Sequence, residues 1–252
     1  MIHILQKLLV NNIKLIIEYD GTNYVGWQQQ KNGITIHGVL TKAIERVVNE
    51  EATLQGSGRT DAGTHAVGQV ANFKTKSDIP VYNLVQAINT YLPKDIVVKS
   101  AEKVPEDFHS RYSAKSKTYC YTILNSEIRD AVGRDYCLHY STPLNVDKMQ
   151  RASKALMGKH DFSAFKSKSD VISSVRTIMK MEIKENGKYL TFTVEADGFL
   201  YKMVRSIVGT LLEVGKGKMK ITEFKQIVKS GIRARAGNTV AASGLCLLEV
   251  KY

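Results

Sequence analysis

The order of strand-like and helix-like segments constrains the fold of this chain most strongly. Residues 12–19 alternate as a strand that ends at the turn sequence DGTN, and from His37 apolar pairs recur every four residues, as in an amphipathic helix. Strand patterns flank residues 56–65, a short helical pattern over 81–92 stops at a proline, and IVVKSAEKV follows as another strand. The first half therefore predicts the order β-α-β-β-α-β.

The second half of the chain predicts the same order. Two of its strands meet at Asn186-Gly187, a dipeptide typical of a tight hairpin, and a helix with an apolar stripe follows over 201–215. We therefore predict an α+β fold with two ferredoxin-like halves, residues 1–112 and 113–252, whose antiparallel sheets pack side by side. The remaining elements of this half are the strands KTYCYTIL and GLCLLEVKY and the helices VDKMQRASKALMG and ITEFKQIVKSG.

Composition favours a polyanion as the partner. Lys and Arg number 36 against 24 acidic residues, which gives a formal net charge of +12, and the basic residues are spread along the chain. Each phosphate that a basic side chain neutralises releases counterions, and this favours binding. The alternative is a domain from a lysine-rich proteome without such a partner.

Cysteine usage and hydropathy bear on location. Cys120, Cys137 and Cys246 are isolated, so neither a disulfide framework nor a thiolate zinc site is indicated, and a reducing cytoplasm fits best. Polar residues interrupt every apolar stretch well short of a membrane span. The opening MIHILQKLLVNN has no small-residue cleavage site, which argues against a secretory signal. We expect residues 1–10 to extend ahead of the first strand.

The stretch GSGRTDAGTHAVGQVANF, residues 56–73, contains the first candidate site. It lacks the motifs of a Walker loop, a dinucleotide site and a serine hydrolase, and the ligand spacing of a zinc site. Arg59 and Asp61 are two residues apart, so an extended backbone would place both on one side. An ionised Asp61 could act as a base or as a covalent nucleophile. The alternative is an Asx-turn in which Asp61 bonds the amides of Ala62 and Gly63.

The helix over 201–215 contains the second candidate. Arg205 flanks the apolar stripe, and Lys202 lies on the same edge because the two residues are three apart. The alternative is that Arg205 is a surface side chain whose aliphatic stem covers apolar neighbours.

The segment from 108 to 121 mixes aromatic and basic residues. Arg111, Lys115 and Lys117 alternate there with phenylalanine and tyrosines, a mixture suited to base stacking combined with phosphate contact. A strand whose aromatic side chains belong to the core would produce the same pattern, so this alternative also stays open.

Taken together, these segments resemble one family. GRTDAGTHA at 58–66 closely resembles the signature loop of the TruA family of tRNA pseudouridine synthases. The resemblance continues in the family's order through DGTNYVGWQQQ, FHSRYSAKSKTYCY, GKHDFSAF, RTI and GFLYKMVRSIVG, from about residue 12 to the end. It implies an enzyme that isomerises uridine at positions 38, 39 and 40 of the tRNA anticodon arm, with no metal and no organic cofactor. It also implies a homodimer, with one tRNA lying across both subunits in a basic cleft and a catalytic cleft between the two halves of each subunit.

The resemblance further implies a role for each matching residue. Asp61 is the catalytic nucleophile, Arg205 forms an ion pair with it, Arg59 helps to displace the target base, and Tyr119 packs on that base. We expect the basic residues near these positions to contact the substrate RNA; they are Lys202, Lys115, Lys117 and Arg111.

The chain departs from the family pattern at two places. Thr64 stands where the family usually has Val, and TVAASGLCL, which begins at Thr239, lacks the usual Pro and has Cys246 in place of an aromatic residue. These departures leave the chemistry unaffected but keep open a related enzyme that modifies another RNA such as rRNA. A separate alternative is a non-catalytic RNA-binding or RNA-chaperone protein that keeps the fold. A metal-dependent nuclease would need several clustered acids, and the loop around Asp61 supplies one.

Overall fold

The computed structural model describes residues 10–167 and 172–252. Except for Val10, the expected N-terminal extension lies outside these residues. The first half contains β1 (Asn11–Tyr19), α1 (Ile36–Val48), β2 (Gln55–Gly56), β3 (His65–Thr75), α2 (Val81–Tyr91) and β4 (Ile96–Val104). The second half contains β5 (Ser116–Asn125), β6 (Leu138–Tyr140), α3 (Val146–Ser153), β7 (Gly158–Asp161), β8 (Val175–Asn186), β9 (Tyr189–Ala196), α4 (Met203–Gly215), α5 (Ile221–Ser230) and β10 (Leu245–Lys251).

All ten strands of the described residues belong to one mostly antiparallel sheet. The order along the sheet is β4-β1-β3-β10-β5-β9-β8-β7, with β2 paired to β3 and β6 paired to β5. Within the first half the order is therefore β4-β1-β3-β2, and the second half repeats it as β10-β5-β9-β8. The predicted α+β fold with two ferredoxin-like halves is confirmed.

The two half-sheets meet edge to edge, where β3 and β10 pair in parallel. Only two residue pairs are in register there, Cys246 with His65 and Leu247 with Ala66. The predicted boundary between residues 112 and 113 lies in the segment between β4 and β5 and stays a prediction.

The helices bury the apolar stripes that their sequences predict. In α1, Leu40, Ala43 and Ile44 are buried, and the Thr35 side chain caps the helix by accepting a hydrogen bond from the Gly38 amide. In α4 the buried stripe includes Val204, Ile207, Val208, Leu211 and Leu212. Among the described residues, no helix has both the length and the hydropathy needed to cross a membrane.

The start of α4 differs from the prediction. The helix begins at Met203, because Lys202 adopts a left-handed conformation with φ of 62° and forms the N-cap. Apolar periodicity carries no information about this backbone angle. The predicted helix therefore started at residue 201, two residues before the observed start. Lys202 therefore does not share a helical edge with Arg205, and that expectation was wrong.

Candidate active site

The loop between β2 and β3, residues 57–64, is here called the acid loop because it contains Asp61. Gln69 on β3 holds its first residues: its side-chain oxygen accepts from the Ser57 hydroxyl at 2.6 Å, and its nitrogen donates to the Gly58 carbonyl at 3.0 Å. Further along, the Thr60 and Tyr19 hydroxyls are 2.8 Å apart, and the Trp27 amide donates to the Thr60 carbonyl at 3.1 Å. The acid loop is therefore fixed by polar contacts from β1, from β3 and from the segment that contains Trp27.

The Asp61 carboxylate is directed at the second half of the chain. One of its oxygens accepts a hydrogen bond from the Arg205 guanidinium, and the two side chains are only 17% and 13% exposed. This is the only hydrogen bond of the carboxylate among the described residues, so the alternative Asx-turn to Ala62 and Gly63 does not form. The turn is closed instead by backbone, since the Thr64 amide donates to the Asp61 carbonyl at 3.1 Å.

Arg205 lies in the first turn of α4 and is held on two sides. Its Nε donates to the Val240 carbonyl at 2.8 Å while the end of the guanidinium donates to Asp61. The low exposure of the side chain excludes the alternative of a surface arginine. A half-buried, charge-assisted pair of this kind is worth more than a solvated surface pair, because water screens it less.

Tyr119 lies close to this ion pair. It is on β5, opposite Leu247 of β10 and Val194 of β9, and its ring packs edge-on against Phe199 with centroids 5.0 Å apart. Only 7% of Tyr119 is exposed. Burial, together with the nearby Tyr19 and Asp61, raises the pKa of the Tyr119 hydroxyl well above its usual range. The hydroxyl is therefore neutral throughout the physiological range.

Arg59 occupies the exposed side of the acid loop. Within the described residues it forms no ion pair, so Arg205 rather than Arg59 is the cation that faces Asp61. Between Arg59 and Asp61, Thr60 is buried and directed at Tyr19.

The four basic residues predicted to contact RNA lie in different environments. Lys117 is partly buried, and its ammonium donates to the Ser57 carbonyl at the start of the acid loop. Burial and, second, the charge of Arg111 lower the pKa of Lys117 to about 8. Arg111 and Lys115 are exposed, and the Lys202 ammonium lies 4.9 Å from the centre of the Tyr201 ring. Lys117 therefore braces the acid loop and does not form one exposed group with the others.

Sequence reasoning missed Gln69 and Val240. Gln69 is fully buried within the mostly apolar run VGQVANF, and a polar residue at a core position was a usable signal. Val240 acts through its carbonyl, for which no side-chain signal exists.

His65 does not complete a metal site with Asp61. Its Nδ1 accepts from the Gly21 amide at 3.1 Å, and its Nε2 lies 3.0 Å from the Asp135 carbonyl. Within residues 10–167 and 172–252, no three His, Cys, Asp or Glu side chains are grouped so that they could hold a metal ion.

Comparison with known proteins identifies the family. A family model described as tRNA pseudouridine synthase matches residues 15–113 and 152–252. The tRNA pseudouridine synthase A of Thermoanaerobacter sp. (strain X514) is 50% identical over 244 residues, which cover 96% of this chain and 100% of that protein. The tRNA pseudouridine synthase A 2 of Clostridium perfringens (strain 13 / Type A) is 51% identical over the same shares.

Similarity to solved structures is much weaker. A chain of the Cbf5-Nop10-Gar1 complex gives a TM-score of 0.38 at 16% identity, covering 79% of this chain and 45% of that chain, which is too low to bear on the fold. The sequence matches are decisive by themselves, since they extend over nearly the whole chain. This chain therefore belongs to the tRNA pseudouridine synthase family and is an enzyme that isomerises uridine to pseudouridine in tRNA.

Proposed function

We propose that this chain modifies uridines 38, 39 and 40 of the tRNA anticodon arm, with Asp61 as the nucleophile. The observation that carries the residue assignment is the half-buried ion pair between Asp61 and Arg205. It joins a carboxylate from the first half to a guanidinium from the second, at the place where the half-sheets meet. The high identity to proteins named tRNA pseudouridine synthase A supports the choice of RNA.

The target uridine has to leave its stack before Asp61 can reach it. Extruding a base costs a few kcal/mol. Arg59, which is exposed beside Asp61, fills the space that the base leaves. Tyr119 forms the floor on which the extruded ring rests, so that stacking offsets part of the cost. The tyrosine needs no hydroxyl chemistry for this role, which agrees with its raised pKa.

The chemical steps need an anionic carboxylate and no other reagent. Asp61 attacks either C6 of uracil or C1′ of ribose, and both routes break the bond between N1 and C1′. The ring then rotates, a bond forms between C5 and C1′, the bond to Asp61 breaks, the proton on C5 leaves, and N1 takes up a proton. Substrate and product have the same atoms, so no oxidant and no second substrate enters. Arg205 holds the carboxylate in one orientation until the base arrives.

The exposed basic residues are proposed to hold the RNA backbone. Arg111 and Lys115 are available to phosphates, and Lys202 lies beside Tyr201 near the start of α4. We also infer a cytoplasmic homodimer in which one tRNA spans both subunits. The net charge of +12 supports extended contact with a polyanion. Sedimentation at micromolar concentration tests the oligomeric state, and a monomer would contradict this part of the proposal.

Tritium release from tRNA labelled with [5-³H]uridine tests the assignment of Asp61. We expect Asp61→Asn to lower turnover at least about a thousandfold while tRNA affinity stays within a few-fold, because the amide cannot act as the nucleophile. Asp130→Asn is the matched control, since Asp130 also pairs with a cation, Lys188 at 2.7 Å, but at the β8–β9 hairpin. Full activity of Asp61→Asn would overturn the site.

Mapping of the modified nucleotides tests the target positions separately. Carbodiimide treatment followed by primer extension locates pseudouridine in tRNA that lacks the modification before incubation. Stops that report pseudouridine at positions 38, 39 and 40 are expected. Stops only at other tRNA positions would overturn the anticodon-arm proposal and leave the enzyme assignment intact.

A further inference from the structure

A short segment before β10 holds the arginine that faces Asp61. Residues 237–240, here called the strap, run along the first turns of α4. The Val240 carbonyl accepts from Arg205 Nε at 2.8 Å, and the Val240 amide donates back to the Arg205 carbonyl at 3.4 Å. One end of the guanidinium is thus fixed by backbone, and the other end reaches Asp61.

The strap is bound to α4 by a ladder of hydroxyl groups. The Thr239 and Ser206 hydroxyls are 2.9 Å apart, and the Thr210 hydroxyl accepts from the Gly237 amide at 3.0 Å. Ser206 and Thr210 are fully buried. A buried hydroxyl that lost its partner would be costly, so these bonds hold the strap at a fixed height on the helix.

Two glycines allow the strap to lie directly on the helix backbone. A Cβ atom on Gly209 of α4 would stand 1.8 Å from the Asn238 carbonyl oxygen, and one on Gly237 would stand 2.7 Å from the Gly209 carbonyl oxygen. No side chain separates the two backbones at this point. The position of the Val240 carbonyl is therefore set by backbone packing and not by an adjustable side chain.

Arg233 ties Gly237 and Thr239 of the strap together. Its guanidinium donates to the Gly237 carbonyl at 3.0 Å and to the Thr239 hydroxyl at 3.2 Å. It makes no ion pair among the described residues. A planar guanidinium with two fixed contacts imposes a definite curvature on the segment that it spans.

We propose that Arg233 and Thr239 are positioning residues for uridine isomerisation. They fix the Val240 carbonyl, the carbonyl orients Arg205, and Arg205 orients the Asp61 carboxylate. This inference rests on the proposed function of Asp61 and Arg205. The contact to Arg205 uses only the backbone of residue 240, so the departure of TVAASGLCL from the family pattern leaves it unaffected. Misplacing a reacting group by about 1 Å can cost up to a hundredfold in rate.

The experiment compares three full-length variants in single-turnover tritium release and in tRNA binding. Thr239→Val removes the hydroxyl but keeps the shape, Thr239→Ser keeps the hydroxyl, and Thr75→Val is the matched control. Thr75 is buried and its hydroxyl bonds Glu50, at the far end of β3. We expect Thr239→Val to lower the rate of the chemical step about tenfold with tRNA affinity within twofold. Thr239→Ser and Thr75→Val should keep the rate of the unsubstituted enzyme.

A double-mutant cycle separates positioning from general destabilisation. Arg205→Lys keeps a positive charge but removes the separate Nε donor that bonds the Val240 carbonyl, so it uncouples the strap from the site. In that background we expect Thr239→Val to change the rate by less than twofold. A tenfold loss in both backgrounds, or no loss in either, would overturn the inference. If Arg205→Lys and Arg205→Ala both turned over normally, the proposed function of the ion pair would fail instead.

Discussion

At the residue scale, the last residue of the acid loop, Thr64, has a buried hydroxyl without a hydrogen-bond partner among the described residues. Its side chain is 1% exposed. A buried hydroxyl without a partner costs about 1–3 kcal/mol. Valine has the same shape, which explains how threonine can stand where the family usually has valine.

We predict that Thr64→Val raises the free energy of unfolding by about 1 kcal/mol, because it removes that unpaired hydroxyl. Tritium release should stay within twofold of the unsubstituted enzyme. Urea titration measures the stability. Thr60→Val is the matched control in the same loop, and it should be destabilising because the Thr60 hydroxyl is bonded to Tyr19 at 2.8 Å. Destabilisation by both substitutions would show that the Thr64 hydroxyl is paired in solution.

Lys117 predicts a pH dependence of stability. Its pKa is about 8 in the folded chain, below the ordinary value of 10.5, chiefly because it is buried. Below pH 8 the ammonium is charged in the folded and in the unfolded chain, and the cost of burying that charge opposes folding. Between pH 8 and pH 10.5 the unfolded chain binds the extra proton, so this residue's contribution to stability rises with pH.

Relative to Lys117→Met, the unsubstituted enzyme should therefore gain stability between pH 7 and pH 10, by up to about 3 kcal/mol. Urea titrations of both proteins at matched pH values measure the difference, in which the titration of other groups cancels. Lys115→Met, at an exposed position, should show no such trend. A difference that is flat with pH would mean that the ammonium is solvated.

The sequence predicted the site only where side chains carry the signal. The loop sequence indicated Asp61 as a candidate but left the Asx-turn open as an alternative. The resemblance to the family supplied Arg205 as its partner. The brace from Lys117 to the Ser57 carbonyl joins residues 60 positions apart, and the Val240 carbonyl has no side-chain signature. Contacts to backbone atoms across such separations depend on the folded topology and cannot be inferred from local patterns.

At the element scale, periodicity located α1 to α5 but not every boundary or strand. The stripes of α1 and α4 were visible in the sequence, while β6 and β7 were missed because strands of three and four residues are too short to show alternation. The true start of α4 was missed because Lys202 is in the left-handed region.

Lys202 offers a test of its proposed contact with RNA. A left-handed conformation costs a side chain such as lysine about 1 kcal/mol, and glycine avoids this cost. We predict that Lys202→Gly raises the free energy of unfolding by about that amount but weakens tRNA binding several-fold, because the ammonium is lost. Thermal unfolding and filter binding measure the two effects.

Asn49→Gly is the matched control for that substitution. Asn49 also adopts a left-handed conformation, with φ of 53°, at the C-cap of α1. Asn49→Gly should raise the free energy of unfolding by a few tenths of a kcal/mol, less than Lys202→Gly, because asparagine tolerates the left-handed region better than lysine. Its tRNA affinity should not change. If Lys202→Gly also left tRNA affinity unchanged, Lys202 would not contact the substrate.

At the scale of the whole molecule, the proposed active site depends on how the two halves meet. Asp61 comes from the first half, and Arg205, Tyr119 and Lys117 come from the second. The half-sheets themselves share only two residue pairs in register. Side chains reinforce this junction: Tyr136 donates to Asp20 at 2.7 Å, and Tyr252 donates to the Ser110 carbonyl at 2.7 Å. The repeat of element order predicted the halves, but nothing in it predicted which edges would join.

Gly68 lies at the junction and permits the close approach of β3 and β10. A Cβ atom at this position would stand 2.2 Å from the Leu248 carbonyl oxygen and 3.0 Å from its carbonyl carbon, and backbone atoms cannot rotate away as side chains do. Relief of the clash requires the two half-sheets to separate locally. Because Asp61 and Arg205 lie on opposite sides of this junction, the separation would disturb their ion pair.

We predict that Gly68→Ala lowers the free energy of unfolding by about 1–3 kcal/mol and slows single-turnover tritium release at least about tenfold. Gly187→Ala is the control. Gly187 lies in the β8–β9 hairpin with φ of 57° and open space around it, so alanine there costs about 1 kcal/mol of backbone strain without touching the junction. Both rates are compared well below the unfolding midpoint of either variant. Equal turnover by the two variants would show that the β3–β10 contact does not set the geometry of Asp61 and Arg205.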